Sequence, residues 1–208
     1  MSLQIKSNRL EAFSDGVLAI IITIMVLEFK VPKVAELSSL IPLVPVFISY
    51  ILSFITIAIY WNNHHHLFSA VESIDGKVMW ANMNLLFWLS LLPFATAWMG
   101  ENKFTKWPVF VYGVVLLGCG LAYFILTKVL IGIHKKDSAL VIAIANNKKE
   151  QFTVLIYLLG VGSSLIYPYL AFSIYFAVTL LWFIPDKRIE KELEEQIGEE
   201  NSERENTL

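Results

Sequence analysis

Long apolar runs separated by short polar breaks make up most of the chain, and their lengths decide what they are. A helix that crosses a bilayer needs about 20 mostly apolar residues. Runs of that kind cover residues 12–29, 40–61, 78–99 and 107–130. One more apolar stretch reaches from Phe152 to Ile184, too long for one span. Gly160, Gly162, Ser163, Ser164 and the Tyr167-Pro168 pair interrupt it, so it reads as two spans, 150–163 and 167–184, joined by a tight hairpin. The pattern predicts an all-α polytopic membrane protein, with six transmembrane helices in residues 1–185 and a charged tail over 186–208. Ile189, Leu193 and Ile197 give that tail at most a short helical face. The first span is expected to be a mature span, although it could be mistaken for a signal peptide: acids stand in its leading segment, and Glu28-Phe-Lys-Val-Pro32 reads as a helix stop with no small-residue cleavage site.

Composition agrees with that reading. The chain is 56% hydrophobic and 16% charged, far from a soluble domain of this size. Charge is segregated, with eight of the 18 acids between Glu190 and Glu205. Orientation follows from lysine and arginine in the short loops. With six spans, twelve of the 16 fall on the side of the two termini, which predicts both termini in the cytoplasm. Trp61, Trp80, Trp98, Trp107 and Trp182 stand near span ends, as an interfacial aromatic belt requires. Cys119 has no partner for a disulfide and reads as a small core hydrophobe.

Candidate chemistry is concentrated at the start of the first span. Asp15 is the single charge between Ala12 and Leu27, accompanied by Ser14 and Thr23. A carboxylate at that depth costs about 2.5–3.5 kcal/mol on insertion scales, so it needs a partner or a task. Snorkelling to the interface is the plain alternative. On a helical wheel Ile20, Thr23, Ile24 and Leu27 share a band about 100° wide, while Ser14 and Asp15 point away from it. The helix therefore carries a polar corner on one face and an aliphatic band with one hydroxyl on another. Trp61, His64–His66, Asn82 and Asn84 lie at the depth of Ser14 and Asp15 if the spans alternate in direction, and a hydrogen-bonded corner among them would offset the buried acid. Arg9 is too far around the helix to pair with Asp15, so it is expected to meet another helix or lipid headgroups.

Arg9-x-x-x-Phe13-Ser14-Asp15 running into Gly-Val-Leu-Ala-Ile20 resembles the signature of the transmembrane protein 175 family, the endosomal and lysosomal potassium channels and their shorter bacterial relatives. Trp61-Asn-Asn-His-His-His66, Leu91-Leu-Pro93-Phe94 and Trp182-Phe-Ile-Pro185 fit the same resemblance, which covers the chain in length and span count. One six-span repeat resembles the bacterial form, implying a homotetramer, in the bacterial inner membrane, whose first helices line a pore without a re-entrant filter loop. The resemblance implies a hydrophobic constriction, also a hydrophobic gate, at Ile20, a hydroxyl layer at Thr23, and an inner face completed by Ile24 and Leu27. Its permeant ion is K+, and it needs no cofactor. Arg9, Phe13, Ser14, Asp15, Trp61, His65 and Asn84 are expected to form the structural network that holds this helix.

Other chemistries fit less well. Three consecutive histidines on a helix point about 100° apart and do not make a facial metal triad. No nucleophile–base set or phosphate-binding glycine loop suggests an enzyme. The serious rival is a proton-coupled secondary transporter using Asp15 and an interfacial histidine as a relay; such carriers break helices at midspan, where only Pro93 qualifies, and often show internal repeats, which are not evident. A non-transporting scaffold is a third reading with nothing specific to recommend it.

Overall fold

The computed structural model describes residues 5–69, 71, 73–133, 141 and 149–183. The charged tail over 186–208 and the loop lysines Lys135, Lys136 and Lys148 lie outside the described residues. The described part is helical apart from one two-residue pairing. Strand β1 (Ile5–Lys6) runs antiparallel to β2 (Ser73–Ile74), with Ile5 opposite Ile74.

Helix α1 spans Ser7–Leu27. A 3-10 turn at Leu37–Leu43, containing Pro42, leads directly into α2 (Val44–Ser69). The second helix thus continues well past Trp61 and carries His64–His66 within it. Helix α3 (Gly76–Ser90) begins at Asp75, whose carboxylate accepts from the Lys77 and Val78 backbone N–H groups at 2.9 and 3.0 Å. The expected span 78–99 is broken at Leu91, because Pro93 has no N–H to offer the carbonyl one turn back. The chain resumes as α4 (Leu92–Glu101). Lys103 and Phe104 then turn it with left-handed backbones (φ 50° and 58°), a conformation held by the Phe104 N–H on the Met99 carbonyl at 3.0 Å. Helix α5 spans Lys106–Ile133, α6 Lys149–Ser164 and α7 Pro168–Phe183. The turn between α6 and α7 closes with the Tyr167 N–H on the Ser163 carbonyl at 2.8 Å.

Four stretches are long and apolar enough to cross a membrane: Ser7–Leu27, Leu37–Ser69, Gly76–Glu101 and Lys106–Ile133. Helices α6 and α7, with 16 described residues each, are shorter. Burial sorts the four. In α5, 61% of the most apolar window is buried, against 28% in α1, so α5 is the interior helix and α1 the rim. Small residues let the helices approach. A Cβ built on Gly118 of α5 would overlap the Trp88 ring of α3, and one on Gly113 would overlap Tyr175 of α7. Between these contacts hydroxyls bond across helices: Ser53 meets Thr96 at 2.6 Å and Tyr112 at 3.0 Å, joining α2, α4 and α5.

The Gly118 contact sets the α3–α5 spacing. Gly118→Ala is expected to destabilise by about 1–3 kcal/mol through overpacking, whereas Gly132→Ala, where a Cβ meets nothing among the described residues, should be neutral or favourable. Thermal unfolding of the two purified variants checks this; equal behaviour would mean that α3 and α5 do not pack through Gly118.

Candidate functional site: one helix with two faces

Helix α1 buries a stripe at helical spacing: Leu10, Ser14, Leu18, Ile21 and Met25 are all buried. That stripe decides which way the rest of the helix looks. Ile20 is 59% exposed, Ile24 41% and Leu27 81%, and Thr23 is exposed beside them. The Thr23 hydroxyl donates to the Ile20 carbonyl at 2.8 Å, so its hydrogen is used within its own helix and its oxygen remains able to accept.

The polar corner lies at the other end of the helix and joins α1, α2 and α3. Ser14 is fully buried and donates to the Leu10 carbonyl at 2.9 Å. The Asn82 amide nitrogen of α3 donates to Ser14 Oγ at 2.9 Å. With its nitrogen so engaged, Asn82 presents Oδ1 to His64 Nε2 of α2 at 2.8 Å, so His64 carries its proton on Nε2. His64 Nδ1 is then a buried acceptor with no partner among the described residues, and its ring stacks on Phe68 at 4.4 Å. Beside this chain, the Trp61 indole Nε1 donates to Asp15 Oδ1 at 3.0 Å. Trp61 stacks on His65 at 6.2 Å, and His65 Nδ1 meets Glu11 Oε1 at 2.7 Å. Glu11 and Asp15 are one turn apart on α1, and His65 and Trp61 are one turn apart on α2. The two pairs face each other across antiparallel helices.

Of the residues expected in the network, Ser14, Asp15, Trp61 and His65 take part in these bonds. Asn84 does not: it is half-buried and makes no hydrogen bond with a described residue, and Asn82 stands in the position expected for it. The two asparagines are about 200° apart on a helix, and only Asn82 falls in the buried stripe Val78–Ala81–Asn82–Leu85–Leu89. Arg9 and Phe13 are exposed, and neither joins the corner among the described residues. Glu11 was overlooked in the sequence because it precedes the apolar run, although its spacing to Asp15 was a usable signal. Among the described residues no group of three His, Cys, Asp or Glu side chains could hold a metal.

Comparison with known proteins bears on this arrangement. The family model described as the endosomal/lysosomal potassium channel TMEM175 matches residues 9–93, which contain the corner and the exposed band. A protein of Chryseobacterium sp. (strain P1-3) named a potassium channel is 54% identical over 188 residues, covering 90% of this chain and 98% of its own length. The chain belongs to this family. A potassium channel of Chamaesiphon minutus is 43% identical over 104 residues, 47% of this chain and 51% of that protein. The crystal structure of a lysosomal potassium-selective channel TMEM175 homologue from Chamaesiphon minutus superposes with a TM-score of 0.77 at 32% identity, over 86% of this chain and 97% of that one.

The asparagines give a direct test of the corner. Asn82→Ala strands the Ser14 and His64 groups in an apolar interior, at about 1–3 kcal/mol for each unpaired group. Asn84→Ala should stay within about 0.5 kcal/mol. Tryptophan-monitored unfolding in detergent would read the difference, and matching losses would remove Asn82 from its central place.

Proposed function

We propose that this chain is the subunit of a potassium-preferring cation channel, a homotetramer in which four copies of α1 enclose a passive pore with its neck at Ile20. The observation that carries the reading is the outward face of α1. The outward face of α1, with Ile20, Thr23, Ile24 and Leu27 exposed on its own subunit, meets either lipid or other copies of the chain, and the potassium-channel relatives favour the copies; one helix per subunit does not enclose a hole. Four around a closed axis is the smallest sensible ring. A groove of about 610 Å3 lies on that face itself, lined by Ile20, Ile21 and Ile24 of α1 and by Pro93, Phe94 and Trp98 of α4, so the Ile20 and Ile24 side chains stand open to it. The names carried by the bacterial relatives point to potassium as the permeant ion.

The rest of the topology belongs to the same reading. Helices α6 and α7 make the fifth and sixth spans, and both termini face the cytoplasm of a bacterial cell. No carbonyl-lined loop contributes to selection. Potassium sheds its water at lower cost than sodium, so an aliphatic neck penalises sodium more, and a ring of Thr23 oxygens replaces part of the lost hydration. Rings of Ile20 and Leu27 side chains can also gate by dewetting. Asp15, tied to the Trp61 indole and turned away from the Ile20 band, holds the helix and carries no ion, which speaks against the proton-coupled carrier.

Currents from the purified protein in planar bilayers test the pore. Ile20→Asn should wet the neck, raise unitary conductance and lower the potassium-to-sodium permeability ratio. Unchanged conductance and ratio would take Ile20 off the conduction path. Thr23→Val, nearly the same shape, should conduct but lose part of its potassium preference. A valine channel that selects as well as the original would leave steric exclusion as the sole basis of selection.

A further inference from the structure

Two residues of the motif that opens α1 take no part in the corner. Arg9 and Phe13 are exposed, and Arg9 makes no hydrogen bond or ion pair with a described residue. The helix itself sets the direction they take. At about 100° per residue, Arg9 and Phe13 each fall within about 20° of Ile20 around the axis. Arg9 stands in line with Leu27, about five turns away. Helix α1 runs unbroken over Ser7–Leu27, with no proline to turn its face. Arg9 and Phe13 therefore continue the exposed face of Ile20, Ile24 and Leu27 to its amino-terminal end.

From Arg9 to Leu27 that face carries one charge. The two acids of the segment, Glu11 and Asp15, lie more than about 100° around the helix from Arg9. They are held on the other side, by His65 at 2.7 Å and by Trp61 at 3.0 Å. Just past Leu27, Glu28 and Glu101 line the groove on the exposed face. Lys30 bonds Glu101 at 2.6 Å and feels Glu28 as well, so the charges at that end largely offset one another. Across these residues the uncompensated charge of the face is the guanidinium at its amino-terminal end.

We propose that four Arg9 guanidinium groups ring the pore mouth at the amino-terminal end of α1 and restrain the cations that enter there. The inference rests on the pore reading, since it takes the Ile20 face to be the conducting one. Arg9 stands about 16 Å from Ile20 along the axis, at about 1.5 Å per residue. A helix tilt of about 20° carries that end about 6 Å further from the pore axis than the neck. This widening keeps four like charges apart. It still leaves each long side chain within about a Debye length of the path, about 10 Å at 0.1 M salt. Positive charge at the mouth lowers the local concentration of potassium without touching the ion. Arg9 thereby sets the rate and direction of flow, and the Ile20 neck and Thr23 oxygens are left to select.

The test is single-channel current from the purified full chain in planar bilayers, at about 0.1 M and about 1 M potassium chloride. At the lower salt Arg9→Gln should raise the unitary current about 1.5–3-fold in one direction only. The gain should fade at about 1 M, where the Debye length is about 3 Å. Arg9→Lys should behave as the original, and neither variant should move the potassium-to-sodium permeability ratio. Arg9→Cys lets the charge be changed on an assembled channel, because Cys119 is buried and out of reach of reagents. An anionic methanethiosulfonate should raise the same directional current, and a cationic one should lower it. Ile20→Asn, recorded alongside, separates this inference from the pore reading. If it alters conductance and Arg9→Gln does not, the pore stands and the Arg9 ring falls; if neither does, both fall. A gain that persists at about 1 M salt, or equal effects of the two reagents, would overturn the proposal. So would loss of the assembled channel in both Arg9→Gln and Arg9→Cys, which would make Arg9 a contact between copies.

Discussion

The rotation of α1 about its own axis depends on one buried amide. Asn82 is the only residue of α3 that bonds Ser14 of α1 and His64 of α2 at once, and each of its two functional groups is used once. In an apolar interior the alternative to these bonds is an unpaired donor, so turning α1 by a single residue would strand several polar groups together. The Leu18, Ile21 and Met25 stripe reinforces the same rotation by burial, but aliphatic packing tolerates small slips that a hydrogen-bonded amide does not. Everything on the far side of α1 inherits its direction from this corner.

The outward band and the corner have opposite demands. Apolar side chains at Ile20 and Ile24 would be well served by packing inside the subunit, yet they stand open while hydroxyls and amides are drawn inward. The bundle accommodates that inversion with small residues and short bonds. Gly118 and Gly113 admit bulky aromatic neighbours, and the Ser53, Thr96 and Tyr112 hydroxyls satisfy one another across three helices. An interior knitted by hydroxyls keeps α5 fixed at the centre and leaves α1 at the rim, the place the proposed assembly requires of it.

Hydropathy made the helices legible in the sequence because a membrane span is a long, one-dimensional signal. Its edges were less so. Trp61-Asn-Asn-His-His-His66 looks like a loop by polarity, but nothing in it prevents helix, and α2 runs on through it to Ser69. Pro93 announced a break without saying whether the helix would kink or stop. The corner was legible in kind, since Asp15 near hydrocarbon requires a donor, and Trp61 lies 3.0 Å away. Choosing between Asn82 and Asn84 needed the phase of α3 relative to α1, which no single-chain pattern carries. Glu150 is hidden for a different reason: an acid at the end of an apolar run reads as a span boundary, and only packing shows that it is buried against Thr127 of α5.

Separating the two faces of α1 also fixes how mutations in it should be understood. Ser14 and Asp15 are within two turns of Ile20 along the chain, so damage to the corner moves the proposed neck without touching an ion. A change in permeation after a substitution at Ser14, Asp15 or Asn82 is therefore weak evidence of contact with the permeant ion unless the subunit is still correctly packed. The converse holds for Ile20 and Thr23, which make almost no contribution to the fold of their own subunit: Ile20 is 59% exposed, and the Thr23 hydroxyl bonds only within its own helix. Substitutions there spare the subunit, so in the proposed channel the stability of the single chain and the behaviour of the pore would be set by different residues of one helix, about half a turn apart around its circumference.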